Sequence, residues 1–273
     1  MRVLISVDME GIAGVTGRSE VSRGTDEYQR FRKLMTEETN AAIRGAFNAG
    51  ADSVVVNDSH GSMRNILYEL LDDRAELISG ANKPLCMVQG VEDADVAAFI
   101  GYHAMAGSFH GVMDHTISSA SIYHWKINGN RVAEADINAA LCGFYQVPVV
   151  LVAGDDALMQ HLAKTLPETR LLSVKFGIDQ YSARSLSRST VLTSLEKEMR
   201  LAIENRHMIA PVHIEGPVTC QIDFSHSTFA ETACLLPLVR RVDARTVEVA
   251  GKDIIEAWRL AYATVRLAST TYM

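Results

Sequence analysis

The chain is short of the features that mark most specialised protein classes. Six prolines in 273 residues, with no low-complexity tract and no internal repeat, leave no candidate for a flexible linker. Four cysteines, Cys86, Cys142, Cys220 and Cys234, include no Cys-x-x-Cys pair, which argues against a thiolate zinc site or a disulfide framework and leaves buried, reduced thiols. The longest apolar stretch, residues 147–153, is interrupted by Pro148 and falls far short of the roughly 20 residues that cross a bilayer. At the amino end only a few apolar-leaning positions precede Asp8 and Glu10, so no secretory signal is expected and a cytoplasmic location follows. Thirty-three acidic against 26 basic residues give −7, with no long lysine or arginine run. A nucleic-acid backbone or an anionic membrane is therefore a poor partner, and small molecules or peptides fit better.

What is present is an ordinary globular composition, 48% apolar and 22% charged, in a chain long enough for one large domain or a large one with a smaller companion. Short β-branched runs alternate with helical periodicity through residues 1–175, the signature of an α/β fold with a mostly parallel sheet flanked by helices. Strands are expected at residues 2–7, 52–57, 97–101, 147–153 and 170–175, and helices at 31–50, 134–145 and 155–166. Asn128-Gly129 inside residues 125–132 is a strong hairpin signal, expected at a sheet edge or on a projecting arm. Beyond a boundary near residue 180 the pattern changes. Residues 1–180 are expected to form the main domain, and residues 181–273 a smaller C-terminal α+β region with strands near 212–224 and 246–249 and a helix over 253–267.

The chemistry gathers at strand ends. Asp8 and Glu10 stand two apart at the carboxyl end of the first strand, where a period of two sends both carboxylates to one side. Like charges at that distance resist joint ionisation, and a cation is the simplest compensation. Alone, the pair is equally a turn cap and an exposed glutamate. The second expected strand, however, runs into Asn57-Asp-Ser-His60 and the third into Gly101-Tyr-His103. In an open parallel sheet those ends converge on one crevice. Four of the nine histidines, His103, His110, His115 and His124, fall within 22 positions. Glu134 opens the helix after the hairpin. Asp8, Glu10, His60, His103 and Glu134 thus supply oxygen and nitrogen donors without sulfur, suited to one or two zinc, manganese or cobalt ions, with Asp8 placed to bridge a pair. The glycines Gly11, Gly14 and Gly17 lack dinucleotide-binding spacing, and the acidic pair occupies the place of a phosphate.

These blocks resemble a known family. Ser6-Val-Asp-Met-Glu-Gly-Ile, Asn57-Asp-Ser-His, Gly101-Tyr-His-Ala, Gly111-Val-Met-Asp-His, Asn138 after Glu134, and Val152-Ala-Gly-Asp-Asp156 recur in the order found in the D-aminopeptidases of the DppA type, peptidase family M55. The resemblance implies two zinc ions on Asp8, Glu10, His60, His103 and Glu134, with His115 as the catalytic histidine. It implies removal of an N-terminal D-residue such as D-alanine from short peptides, and a homodecamer of stacked rings enclosing a chamber. Asp155 and Asp156 are candidates to receive a substrate ammonium, helix capping being the alternative. Lys175, at another strand end, is a candidate to orient a metal carboxylate or a substrate carboxylate.

The leading expectation is a metal-dependent aminopeptidase in which metal-held hydroxide attacks the amide carbonyl. Two alternatives stay open: another dinuclear amidohydrolase or phosphoesterase, and a metal-stabilised shell or peptide-binding protein without catalysis.

Overall fold

Val, Ile, Leu and Ala runs without an exposed face fill the central strands, and the computed structural model, which describes residues 1–272, buries them on both sides. In chain order the first elements are β1 (Arg2–Val7), a single helical turn α1 (Arg18–Val21), α2 (Asp26–Asn48), β2 (Ser53–Asp58), β3 (Ala75–Ile78) and β4 (Val96–Tyr102). A long loop leads to β5 (Ile122–Ile127), β6 (Asn130–Arg131), α3 (Glu134–Phe144), β7 (Val149–Asp155), α4 (Asp156–Thr165), β8 (Arg170–Asp179) and β9 (Ser182–Ser185). Then come α5 (Arg188–Glu204), β10 (Val218–Phe224), α6 (Ser227–Ala233), β11 (Arg240–Arg241), β12 (Thr246–Gly251) and α7 (Ile254–Ala268).

The first sheet has seven strands in the order β3-β2-β1-β4-β7-β8-β9, parallel throughout except for the β8–β9 pair. The chain adds β2 and β3 on one side of β1 and then crosses to add β4 on the other. That reversal of direction opens a crevice at the carboxyl ends of β1 and β4, the usual ligand position in such sheets. Alternate side chains of β1 serve two cores: Val3, Ile5 and Val7 meet α2 and α5, while Leu4 joins the layer holding α3, α4 and α7. The helix α2 begins at Asp26, earlier than its apolar pattern implies, because Thr25 caps it by accepting from the Tyr28 amide at 3.2 Å.

The second sheet is antiparallel, in the order β11-β12-β10-β5-β6. The Asn128-Gly129 hairpin lies at an edge, as its turn residues suggest, but at the edge of this smaller sheet. The division expected near residue 180 is crossed in both directions: β5 and β6 pair downstream with β10, while α5 packs on α2 over the large sheet. The inner face of the small sheet closes on α6 and α7, where Trp125 and Trp258 stack with centroids 6.1 Å apart. Among the described residues no helix is long and apolar enough to cross a membrane.

Candidate metal centre

Three strand ends deliver the site. Past Val7 the chain leaves the ladder, yet it stays pressed to the end of β4. The Asp8 amide donates to the Ile100 carbonyl at 2.9 Å and the Gly11 amide to the Gly101 carbonyl at 2.7 Å. That approach demands glycine twice. A Cβ on Gly11 would lie 1.9 Å from the Tyr102 carbonyl oxygen, and one on Gly101, whose φ is +70°, would lie 2.2 Å from the Asp8 oxygen. After β2 the Asp58 carboxylate, buried, accepts from the amides of Asn65 at 2.5 Å and Ile66 at 2.7 Å, and the Asn65 side chain donates to the His60 carbonyl at 2.7 Å. This folds the His60 loop back over the crevice. The first residue of α3, Glu134, accepts from the Ile117 amide at 2.7 Å, which ties the loop carrying His103 and His115 to that helix.

The five expected ligands come together, all buried, with His115 beside them. Each imidazole is oriented by one hydrogen bond to a backbone carbonyl. His60 has Nε2 2.9 Å from the Val21 oxygen and Nδ1 2.8 Å from Glu10 and 3.3 Å from Asp8. His103 has Nδ1 3.0 Å from the Ala104 oxygen and Nε2 3.5 Å from Asp8 and 3.6 Å from Glu134. His115 has Nδ1 2.9 Å from the Met113 oxygen and Nε2 3.7 Å from Glu134, with its ring stacked on His103 at 4.1 Å. Placing the proton on the carbonyl-bonded nitrogen leaves the opposite lone pair of each ring aimed among three carboxylates. His103 Nε2 is fully enclosed without a hydrogen-bond partner, the condition of a nitrogen built to coordinate. Ligand atoms of Asp8, Glu10 and His103, and again of His103, His115 and Glu134, lie within 4.8 Å of one another. A hard-to-borderline cation such as zinc fits this donor set.

The electrostatics show the same crowding. Burial, with the Glu10 charge adding to it, raises the Asp8 carboxyl to about 8. Glu10 is just as buried, but the imidazole of His60 outweighs that burial and holds its carboxyl well below the usual range. Burial resists ionisation of His103, yet Glu134 and Asp8 lift it to about 10. His115 moves the other way, its basicity lowered by burial and by His103. Neighbouring carboxylates driven apart in this manner mark a place where protons stand in for another positive charge.

Asp8, Glu10, His60, His115 and Glu134 form the floor of a cavity of about 530 Å³, with His103 buried behind them. Its walls come from Arg18 and Val21, from Asp114 and Ile117, and from Tyr262 and Arg266 of α7. Of these six only Asp114 falls in a motif, Gly111-Val-Met-Asp-His; the others are isolated residues that carry no motif signal of their own. A second group, whose members stand in the family blocks without a role of their own there, lies beneath the floor: Ser6 Oγ lies 2.7 Å from the Tyr102 hydroxyl and 2.8 Å from Ser59 Oγ, and Asn138 donates to Tyr102 at 3.1 Å.

Asp155, Asp156 and Lys175 do not join the lining. Asp155 sits at the N-cap position of α4 but its side chain caps nothing; Oδ2 accepts a long 3.3 Å bond from the Val112 amide. Asp156 Oδ1 accepts from the Gly177 amide at 2.8 Å. Lys175 is fully buried and donates to the carbonyls of Glu10, Ile12 (3.2 Å) and Val15 (2.7 Å), in the loop after β1. His110 bonds through Nδ1 to the Ile178 carbonyl at 2.5 Å and also lies off the cavity.

Comparison with known proteins gives the chain its family. The sequence profile of the D-aminopeptidases, peptidase family M55, fits residues 1–263. A D-aminopeptidase of Bacillus subtilis (strain 168) is 37% identical over 273 residues, covering 99% of each chain. The solved structure of the zinc-dependent D-aminopeptidase DppA from Bacillus subtilis, described as a self-compartmentalizing protease, superposes with a TM-score of 0.96 at 36% identity and covers 100% of both chains.

Proposed function

The chain belongs to peptidase family M55, the D-aminopeptidases, and from that membership we propose that it removes N-terminal D-residues, D-alanine among them, from short peptides. Its activity class is that of a zinc-dependent aminopeptidase. One observation carries the assignment of the centre: three imidazoles, each fixed by a backbone carbonyl, turn their other ring nitrogens toward three buried carboxylates. Asp8, Glu10, His60, His103 and Glu134 would hold two zinc ions. Asp8 has one oxygen toward His60 and the other toward His103, as a shared ligand requires. When bound, zinc supplies Lewis-acid polarisation of the scissile carbonyl and acidifies water.

The remaining work falls to the chain. His115 is the most solvent-facing imidazole of the three, with 15% of its side chain exposed against 1% for His103, and it lines the cavity. With its Nδ1 proton given to the Met113 carbonyl, Nε2 is free to accept a proton as water adds to the amide and to return it to the departing amine. The acidic floor attracts the peptide's terminal ammonium. A cavity of about 530 Å³ has room for a short peptide and excludes a folded chain. We further infer a cytoplasmic homo-oligomer, a decamer enclosing a chamber. Its support is the kinship to a self-compartmentalizing protease together with exposed apolar side chains such as Phe109 at 85% and Leu235 at 74%.

The test is elemental analysis of the purified protein alongside hydrolysis of D-alanyl and L-alanyl dipeptides and a chromogenic phosphodiester. Two zinc ions per chain and turnover confined to the D-alanyl peptides are expected. Turnover of the phosphodiester alone, or no zinc, overturns the proposal.

A further inference from the structure

Lys175 is the most deeply buried cation among the described residues, and its partners are carbonyls instead of carboxylates. It lies in β8 opposite Asp155 of β7, with none of its side chain exposed. An ammonium has three protons to give, and here all three go to one loop, to the carbonyls of Glu10, Ile12 and Val15. The negative charges of Asp155, Glu38 and Glu10 act on it from farther away. Such a site is costly to build, since a buried ammonium gives up its whole hydration shell.

The loop needs this anchorage. β1 ends at Val7, so from Asp8 onward no strand ladder holds the backbone in register. Its amides are held one by one from different elements: Gly11 by the Gly101 carbonyl at 2.7 Å, Ala13 by Glu38 of α2 at 2.9 Å, and Gly14 by Ser185 of β9 at 2.9 Å. Beside the loop's own bonds, from the Ile12 amide to the Met9 carbonyl and from the Val15 amide to the Ile12 carbonyl, both at 3.2 Å, Lys175 gathers three of its carbonyls from outside, and one of these belongs to Glu10 itself. The Glu10 carboxylate has a single hydrogen-bond partner, His60 Nδ1 at 2.8 Å, so its place depends on where its own backbone is pinned.

Building on the two-zinc reading, we infer that Lys175 is a positioning residue of the metal centre. By pinning the Glu10 carbonyl it sets the affinity for the ion that Glu10 would hold, leaving the other ion as it is.

Zinc titration of the metal-stripped full-length chain by calorimetry tests this, with thermal melting and the visible spectrum of the cobalt-loaded protein recorded alongside. Lys175→Met keeps length and shape but removes the three donors. One of the two binding events should weaken by about 10- to 100-fold, the size expected when a group supporting a ligand is lost. The other event should change less than about twofold, and the cobalt spectrum should change with it. Lys175→Gln, which keeps two donors, is the second variant should Lys175→Met not fold, and it should weaken the same event by a smaller factor. Unchanged affinities and spectrum with only a lower melting temperature would make Lys175 a scaffold residue and overturn the inference, as would equal weakening of both events. Uptake of fewer than two ions by the unsubstituted protein would instead sink the two-zinc reading on which the inference rests.

Discussion

The seven-stranded and five-stranded sheets use the same β-branched residues, yet they distribute polar side chains in opposite ways. Along β4 and β7 every residue is buried, and chemistry-bearing groups begin only where the strands stop, at His103 after β4 as at Asp8 after β1. Along β10 burial alternates, with Thr219, Gln221 and Asp223 half-exposed between buried Val218, Cys220, Ile222 and Phe224. There polar groups pair with near neighbours: Glu248 takes bonds from Gln221 at 2.8 Å and from Arg240 at 2.5 Å. A sheet covered on both faces has only its ends to offer, and parallel strands put equivalent ends together. A sheet with one open face scatters its polar groups and gathers none. The large sheet thus concentrates the charge, and the small one, through α7, contributes only a wall.

Substitutions can break that contrast. The largest effect is expected from Asp8→Ala, which removes the carboxylate shared between His60 and His103: zinc content should fall on elemental analysis and kcat/KM by roughly 10³-fold or more, with little change in the circular dichroism of the folded chain. Full activity in this variant would move the chemistry off the strand ends. His115→Ala should keep both metals and lower kcat by about 10²- to 10⁴-fold. Metal loss there would class His115 with the ligands it stacks against. In the other layer, Trp258→Ala should cost about 3–5 kcal/mol in denaturant unfolding, while zinc per folded chain stays at the unsubstituted value.

A smaller test uses Glu38 on α2, a buried carboxylate outside the centre whose Oε2 has no partner. Burial raises its carboxyl to about 7 from an ordinary 4.5. The folded state therefore holds the proton longer than the unfolded chain, and stability is lost as pH rises between those values. Glu38→Gln keeps an acceptor for Ala13 and should melt above the unsubstituted protein by a margin that opens over that window and levels off beyond it, read from melting temperatures across pH 4 to 8. Smallest of all, Arg240→Ala breaks an exposed pair on the small sheet and should change stability by less than about 1 kcal/mol.

The same contrast governs what the sequence discloses. Continuous apolar runs ending in Asp8, His60 and His103 are visible because a doubly buried strand leaves no ambiguity about where its polar groups begin. Their meeting follows from the parallel arrangement alone. Glu134 is legible as the start of a helix, whereas the role of His115 comes only from likeness to a family. The short strand β3, without a long apolar run, gives no comparable signal. The hairpin at Asn128-Gly129 is plain, but its pairing with β10 joins Asn128 to Thr219, 91 positions away, the Asn128 amide donating to the Thr219 carbonyl at 2.9 Å and the Asn128 side-chain oxygen accepting from the Thr219 amide at 2.8 Å, bonds that no local pattern encodes. Lys175 stands at a legible strand end. Its partners are carbonyls, however, and those are present in every residue, so composition cannot point to them.

The bond from His60 Nε2 to the Val21 carbonyl joins the cavity wall to the centre it surrounds. A change that swings this segment outward to admit bulkier peptides must also turn the imidazole. Aperture and cation retention are in this way a single mechanical variable, and directed evolution for larger substrates that reshapes this wall should recover variants needing more zinc in the medium.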